Sequence, residues 1–490
     1  MGLVGFAVVF LVIYIVFCIG VGIYGQRKAK GSEQYVVAKR TMNPIIIAVA
    51  AAATVGSGIT FLGCPGFAFK FGYPGLWYST SWTWLVPLVT LVCFFSFRKF
   101  VQAKGSMTIP GFLGDRYNSD TARVLAVLLA CVAQLFFLGG QYTGAGHIMS
   151  VIFDIPYSYG VILMGVVVAF YVAAGGYRSI AVTNTAMGVL MALCALILFF
   201  SAYIMFPGGV SALNAKLASI DPNTVQVFNP KAGPIGGSIM AVLCVGFPLA
   251  FYSFSPQTSA HLLATKDFSF KTIMTYTFVM WGLFMIFGLT PFAGLAAQAH
   301  GIVSPKADAA LAIMVKQMFH PLFAAFLLIA ILSAIWSTAD VVLFTIATGI
   351  SNDLFANVIF KRMGWSRNKI DKWNMRIARV LVVILSIISV LMVLHPPKYL
   401  VVFIWIGLGG AMVIVAPVVV ISSLWKRATK AAAIGSMIIG AIIFYTMIIK
   451  GVQPFTASGI QLPITFASMI IISLFTKPEP EHLEEAGGKG

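Results

Sequence analysis

The sequence predicts an all-α polytopic membrane protein of about 13 transmembrane helices, and three observations carry that prediction. Of its 490 residues, 60% are hydrophobic and 9% are charged, at a mean hydropathy of +0.96. An ordinary soluble chain is about one quarter charged. The apolar residues come in runs of about 20, the length that crosses a hydrocarbon core. The basic residues gather in alternate loops between those runs.

The runs lie near residues 3–24, 42–69, 73–96, 122–152, 155–173, 181–206, 234–260, 272–298, 321–350, 377–396, 399–422, 431–449 and 460–476. They are continuously apolar, where barrel strands would alternate polar and apolar residues. The first run lacks the basic segment that precedes a cleaved leader, so it is read as a retained span. With the N-terminus outside, 25 of the 32 basic residues, including Arg27, Arg40, Arg178, Lys361 and Arg427, fall on the inner side. The other 7, among them Lys70, Lys231, Lys306 and Lys398, fall outside. This bias predicts an N-out, C-in protein of the plasma (bacterial inner) membrane. It also accounts for the net charge of +18 without a nucleic-acid partner. All six cysteines sit inside apolar runs and form no CxxC pair, which reads as small core residues.

Two spans are interrupted. The second contains Gly56-Ser57-Gly58 and Gly63-Cys64-Pro65-Gly66; the seventh contains Gly246-Phe247-Pro248 and Ser253 to Thr258. They lie five spans apart, and an odd offset places equivalent helices in opposite orientations, as an inverted repeat requires. The expected organisation is a peripheral helix and loop (1–41), a first repeat (42–206), an outer loop (207–233), a second repeat (234–422), two peripheral helices (423–476) and an inner tail (477–490). The alternative is that Gly and Pro merely kink packed helices.

Of the 14 acidic residues, Asp340 is read as the one deep inside an apolar run, with no Lys or Arg at its depth. A buried carboxylate costs several kcal/mol unless it faces a cavity, a cation or a proton. The alternative is a protonated Asp340 bonded to a neighbouring helix. Just before it, Ala334, Ser337 and Thr338 fall at i, i+3 and i+4, on one helical face. Two hydroxyls and a carbonyl at that spacing suit Na⁺, a hard cation that takes oxygen ligands. Carbonyls freed near Ala53 and Gly56 in the broken second span would complete the set. The alternative is that both hydroxyls only bond back to carbonyls one turn earlier.

Together these stretches resemble the sodium:solute symporter family, over nearly the whole chain. The likeness rests on Gly56-Ser57-Gly58, Gly63-Cys64-Pro65-Gly66 with Lys70, Gly175-Gly176-Tyr177-Arg178, Lys266-Asp267, Ala334 to Thr338, and Asn352-Asp353-Leu354-Phe355. It implies a LeuT-type core and sodium as the coupling ion. The implied ligands are the carbonyls of Ala53, Gly56 and Ala334 and the hydroxyls of Ser337 and Thr338. The chain departs from the family at Asn184 and Met187, where Asp and Gln are usual. It departs again at Asp340, where the family often has Ser or Gln. Asp340 and Asn184 are therefore candidates for a second ion or proton site, the carboxylate having crossed from span 6 to span 9. His261 stands where Arg is common and reads as structural, near the inner end of its helix.

Within the family the likeness is closest to sodium/pantothenate symporters, on Phe67 to Gly72, Ile220-Asp221-Pro222 and Pro396-Pro397-Lys398. Proline and monocarboxylate carriers share several of these stretches. The implied solute is a small carboxylate, held through half-helix N-termini and lined by Ser57, Gln141 and Tyr252, Ser253, Phe254 and Ser255. Those side chains have the alternative of packing alone. Proton-coupled symport, and sodium-coupled carriage of proline or another amino acid, a monocarboxylate or a sugar, stay open. So does a channel or sensor on the same fold, although only 14 residues follow Thr476. The sequence shows no nucleophile, metal cluster or carboxylate pair at depth, so no enzyme, organic cofactor or obligate protein partner is expected. It also lacks the motif of an ATP-driven pump.

Overall fold

The computed structural model describes residues 1–28, 31–81, 83, 85–204, 206–395 and 400–478. The Pro396-Pro397-Lys398 stretch, Lys30 and the tail acids Glu479, Glu481, Glu484 and Glu485 lie outside these residues. The described chain is helical, with one isolated bridge between Met42 and Thr265.

Helix α1 (Leu3–Lys28) ends where Arg27 and Lys28 leave the apolar run. Helix α2 (Pro44–Val55) begins at Asn43, whose side chain accepts from the Ile45 N–H at 2.8 Å, with Pro44 preset for the first turn. A π-turn at Ile59–Gly63 leads into α3 (Cys64–Phe71), and the two halves are bent by 52°. Next come α4 (Leu85–Lys104), α5 (Asp120–Phe153) and α6 (Tyr157–Ile204). The 48-residue α6 is roughly 70 Å long, twice the hydrocarbon thickness, and so makes two crossings. Its break is at Gly176, where φ is +65° and a Cβ would lie 2.7 Å from the Tyr35 ring. Only glycine fits there.

The seventh span is α7 (Ile239–Ala250), a 3₁₀ turn at Tyr252–Phe254, and α8 (Pro256–Leu263). Helices α9 (Phe270–Phe287) and α10 (Pro291–Ala299) follow, then α11 (Pro321–Thr348), which continues as a π-helix over Gly349–Phe360. Helices α12 (Arg367–Met392), α13 (Leu400–Leu424), α14 (Lys430–Ile449) and α15 (Pro454–Phe475) complete the bundle. Among the described residues, 10 helices are long and apolar enough to cross a bilayer, or 11 with the bent pair, which is compatible with 13 crossings once α6 counts twice and α4 is added.

The most apolar stretches of α11 and α13 are 83% and 94% buried, against 28% for α1 and α12 and 33% for α14 and α15. Thus α11 and α13 form the interior, and the other four lean on lipid. Both interrupted spans are broken, and the chain just before α2 meets the chain just after α8: the Lys266 N–H donates to the Met42 carbonyl at 3.1 Å. The sequence reading of the ninth span stopped at 350, because Asn352 and Asp353 end the apolar run. The helix runs ten residues further as a π-helix, and Asp353 within it is fully buried. Asp340 is therefore not the sole wholly buried acid. Asp353 differs in being partnered by Thr108 at 2.5 Å and Arg123 at 3.4 Å.

Candidate ion and solute site

Helix α2 stops at Val55 because Gly56 leaves helical space, at φ −72° and ψ 76°. A Cβ on Gly56 would lie 2.6 Å from both Met191 and Phe287, so no larger residue fits this break. The break faces the middle of α11. There the Ser337 hydroxyl donates to the Ala53 carbonyl at 2.8 Å and the Thr338 hydroxyl to the Thr54 carbonyl at 2.8 Å. The same hydroxyls lie 3.1 and 3.2 Å from the Ala334 carbonyl. All of these residues are buried. Ala53, Ala334, Ser337 and Thr338 thus converge as the spacing predicted. Gly56 makes the break, but the carbonyl that joins the cluster by hydrogen bonding is that of Thr54. The hydroxyls do bond back one turn, and they also reach across to α2.

A polar chain continues from this cluster. Tyr171 donates to Asp340 Oδ2 at 2.8 Å, and Asn184 Nδ2 donates to Asp340 Oδ1 at 3.1 Å. The same amide nitrogen reaches the Ser337 carbonyl at 2.8 Å. Each carboxyl oxygen of Asp340 thus has one hydrogen-bond partner. Its partners are both uncharged, and Asn184 Oδ1 is buried without a hydrogen-bond partner. The exchange of residue types between spans 6 and 9 therefore falls on a touching pair.

His261 lies deeper than its sequence position suggested. It is fully buried, with Nε2 2.8 Å from the Thr54 hydroxyl and Nδ1 2.8 Å from the Tyr177 hydroxyl. Thr54, Tyr171 and Tyr177 are the members of this network that sequence reasoning missed. Thr54 was legible as the one hydroxyl in the run Ala50–Val55, and Tyr177 lay within the Gly-Gly-Tyr-Arg stretch. Tyr171 gave no signal in its apolar run.

At the other side of the break, Gln141 Oε1 accepts from the Gly58 N–H at 3.0 Å, while Gln141 Nε2 is buried without a partner. Ser57 and Tyr252 line a cavity with Val55, Thr60, Phe137 and Phe284 and no charged residue. About 400 Å³ of it is empty, but only about 20 Å³ can hold the centre of a water molecule. Solute entry requires its walls to part. Ser253, Phe254 and Ser255 have partners of their own in this structure. Ser253 shares a 2.5 Å hydrogen bond with Thr90, Phe254 packs on Phe94 and Phe97, and Ser255 donates to Thr258 at 3.1 Å.

A polytopic helical bundle with both central helices broken, and an oxygen-rich cluster where one break meets its neighbour, defines a secondary transporter core. The chain belongs to the sodium:solute symporter family, whose model matches residues 35–440. Sodium is that family's coupling ion, and its members are transporters, not enzymes. The chain is 27% identical to the osmoregulated proline transporter OpuE of Bacillus subtilis (strain 168), covering 96% of this chain and 95% of that protein. It is 25% identical to the high-affinity proline transporter PutP of the same strain (93% and 95% covered) and 25% identical to a sodium/proline symporter of Staphylococcus aureus (strain JH9; 89% and 84%). Its fold matches a sodium-coupled sialic acid symporter solved substrate-bound and outward-open, with TM-score 0.82 at 16% identity over 97% of this chain and 98% of that one. MhsT in complex with L-phenylalanine matches at TM-score 0.55 and 12% identity, over 89% and 99%.

Proposed function

We propose that this protein imports a small zwitterionic or anionic carboxylate, with L-proline the first candidate, by sodium-coupled alternating access. The observation that carries the ion half is the bonding of Ser337 and Thr338 across to the Ala53 and Thr54 carbonyls at the break of α2. Sodium as cargo takes the centre of that cluster, the Ser337 and Thr338 hydroxyls turning their protons outward and their oxygens inward, and is held by Ala53, Ala334, Ser337 and Thr338 with the backbone of the Gly56 turn. Asn184 and Asp340 stand one hydrogen bond away as a second cation or proton site, in which the unpartnered Asn184 Oδ1 is an available ligand. Sodium binding ties α2 to α11 and favours the state in which the solute site faces outward; solute then binds and the core rocks.

The solute half is supported by chemistry and by the relatives. An uncharged, apolar cavity with backbone N–H groups at the break suits a carboxylate carried on a small apolar body. The relatives named above are proline transporters, which favours proline over pantothenate. The N-out orientation and the two five-helix repeats at 42–206 and 234–422 belong to the same proposal. Proteoliposome uptake of labelled proline, pantothenate, other amino acids and monocarboxylates, with sodium and proton gradients imposed separately, tests it. Proline uptake driven by sodium alone is expected. Uptake driven only by the proton gradient sinks sodium coupling, and a sodium-driven sugar or pantothenate flux without proline sinks the solute assignment.

A further inference from the structure

A second site lies at the face of the basic loops, remote from the break. A groove is walled by the link after α1, the end of α4, the π-helix after α11 and the first turns of α12. Lys39, Arg40, Lys104, Lys361 and Arg367 line it. The acids on its walls are Glu33 and Asp371, and Asp371 already accepts from Ser32 at 2.6 Å. The groove therefore carries a net excess of three positive charges.

Basic loops alone are expected at this face, so the groove needs further marks of a site. The backbone supplies one. Ala38, Lys39 and Arg40 have φ of 48°, 51° and 53°, three successive residues in the left-handed region that a Cβ disfavours. This turn carries Lys39 and Arg40 into the groove, and Arg40 is pinned there by donating to the Gly105 and Ser106 carbonyls, both at 3.0 Å. Unsatisfied groups supply another. Arg40 Nε and Asn374 Oδ1 are buried in the groove wall with no hydrogen-bond partner. The first turn of α12, whose Arg367, Ile370 and Asp371 line the groove, also has no side-chain cap and is the positive end of a 26-residue helix.

We infer that this groove binds a phosphodiester that also carries a hydroxyl, the chemistry of a glycerol-phosphate headgroup. Phosphate oxygens satisfy the cations and the Arg40 Nε donor; a hydroxyl satisfies the Asn374 acceptor. Position favours a lipid as the source. Helix α12 is largely lipid-facing, and its first turns form one wall, so the groove opens at headgroup depth. A bound headgroup would also tether the 31–40 link to the π-helix after α11.

The test is native mass spectrometry of the purified full-length protein, stripped of lipid and titrated with phosphatidylglycerol, with phosphatidylcholine as the uncharged reference. It reads binding alone and so stands whether or not proline is the solute. Retention of phosphatidylglycerol is expected, weakened about fivefold per cation removed and so about a hundredfold in Arg40→Gln/Lys361→Gln/Arg367→Gln. Should that variant misfold, Lys361→Glu/Arg367→Glu changes only exposed positions and is expected to lose as much. Arg427→Gln/Lys477→Gln, basic at the same face but outside the groove, keeps wild-type retention. Competition by soluble glycerol 3-phosphate assigns the groove to free phosphates, and its absence assigns it to the lipid; either supports the site. Equal retention in Lys361→Glu/Arg367→Glu, or equal loss in the Arg427/Lys477 control, overturns it.

Discussion

Asp340→Asn tests whether the carboxyl beside the proposed sodium site carries a charge when sodium binds. Asn184 Nδ2 is 3.1 Å from Asp340 Oδ1 and 2.8 Å from the Ser337 carbonyl, so those two oxygens are at most 5.9 Å apart. A cation held at Ser337 is then roughly 7 Å from the carboxylate. At an effective dielectric of about 20, a unit pair at that separation interacts by about 2 kcal/mol, or roughly 30-fold in affinity. The variant keeps shape and one acceptor, so the lost charge dominates. Two assays read it. Half-saturating sodium for solute uptake in proteoliposomes is expected to rise by roughly 30-fold. Sodium-dependent thermal stabilisation in detergent is expected to need proportionately more salt, which removes any dependence on the solute's identity. Moving the carboxylate back, in Asp340→Asn/Asn184→Asp, is expected to restore most of the loss, because the two side chains touch. An unchanged sodium requirement in Asp340→Asn refutes the reasoning, as does a double variant no better than the single.

Three further outcomes follow from particular contacts. Ser337→Ala and Thr338→Ala each remove one link between α11 and the α2 break, and each is expected to raise half-saturating sodium about five- to tenfold, the worth of one buried hydrogen bond; a wild-type sodium requirement in both variants would falsify the ligand assignment. His261→Phe strands the Tyr177 hydroxyl and weakens the anchoring of Thr54, at a cost of about 2 kcal/mol that a lowered melting midpoint reports. Asp308, in the loop before α11, is pushed by burial to about 6, with the Leu400 N–H, Lys306 and Lys70 pulling the other way. The native state then holds this proton more tightly than the unfolded chain, so stability falls as pH rises from about 4 through 6. The loss is about 2 kcal/mol after allowance for its solvated edge, and Asp308→Asn is expected to abolish that slope in a pH series of melting curves.

The helix breaks were legible because glycine leaves helical space cheaply, as Gly56 does, and because Pro248 and Pro256 each remove a backbone donor on either side of the 3₁₀ turn at Tyr252–Phe254. The proposed sodium face was legible because Ala334, Ser337 and Thr338 share one helical stripe, a property of spacing alone. The meeting of Asn184 with Asp340 was legible only as chemistry: an acid lost from one span and gained in another. What hydropathy hid were features defined by partners. Helix α12 starts at Arg367, ten residues before its apolar run, because its first turns carry the charged residues Arg367, Lys369, Asp371, Lys372 and Arg376. Asp353 reads as a loop acid until Arg123 and Thr108 are seen to enclose it. The partners of Ser253 and Ser255, Thr90 and Thr258, were likewise hidden, because no pattern in four residues encodes which contacts a 3₁₀ turn will make.

If the solute carboxylate binds at this break as proposed, the hydrogen bond from Gly58 to Gln141 makes Gln141 its built-in competitor. An amide oxygen already occupies the one N–H at the break that hydrogen bonding shows to be addressable from α5. A solute carboxylate that takes this N–H must evict Gln141, so affinity is the difference between two acceptors rather than the strength of one. That difference favours a full negative charge over a neutral carbonyl, and it keeps the bound state shallow enough for release on the far side. Under that proposal Gln141 would act as a threshold, screening out neutral look-alikes while leaving the break hydrogen-bonded whenever the carrier returns empty.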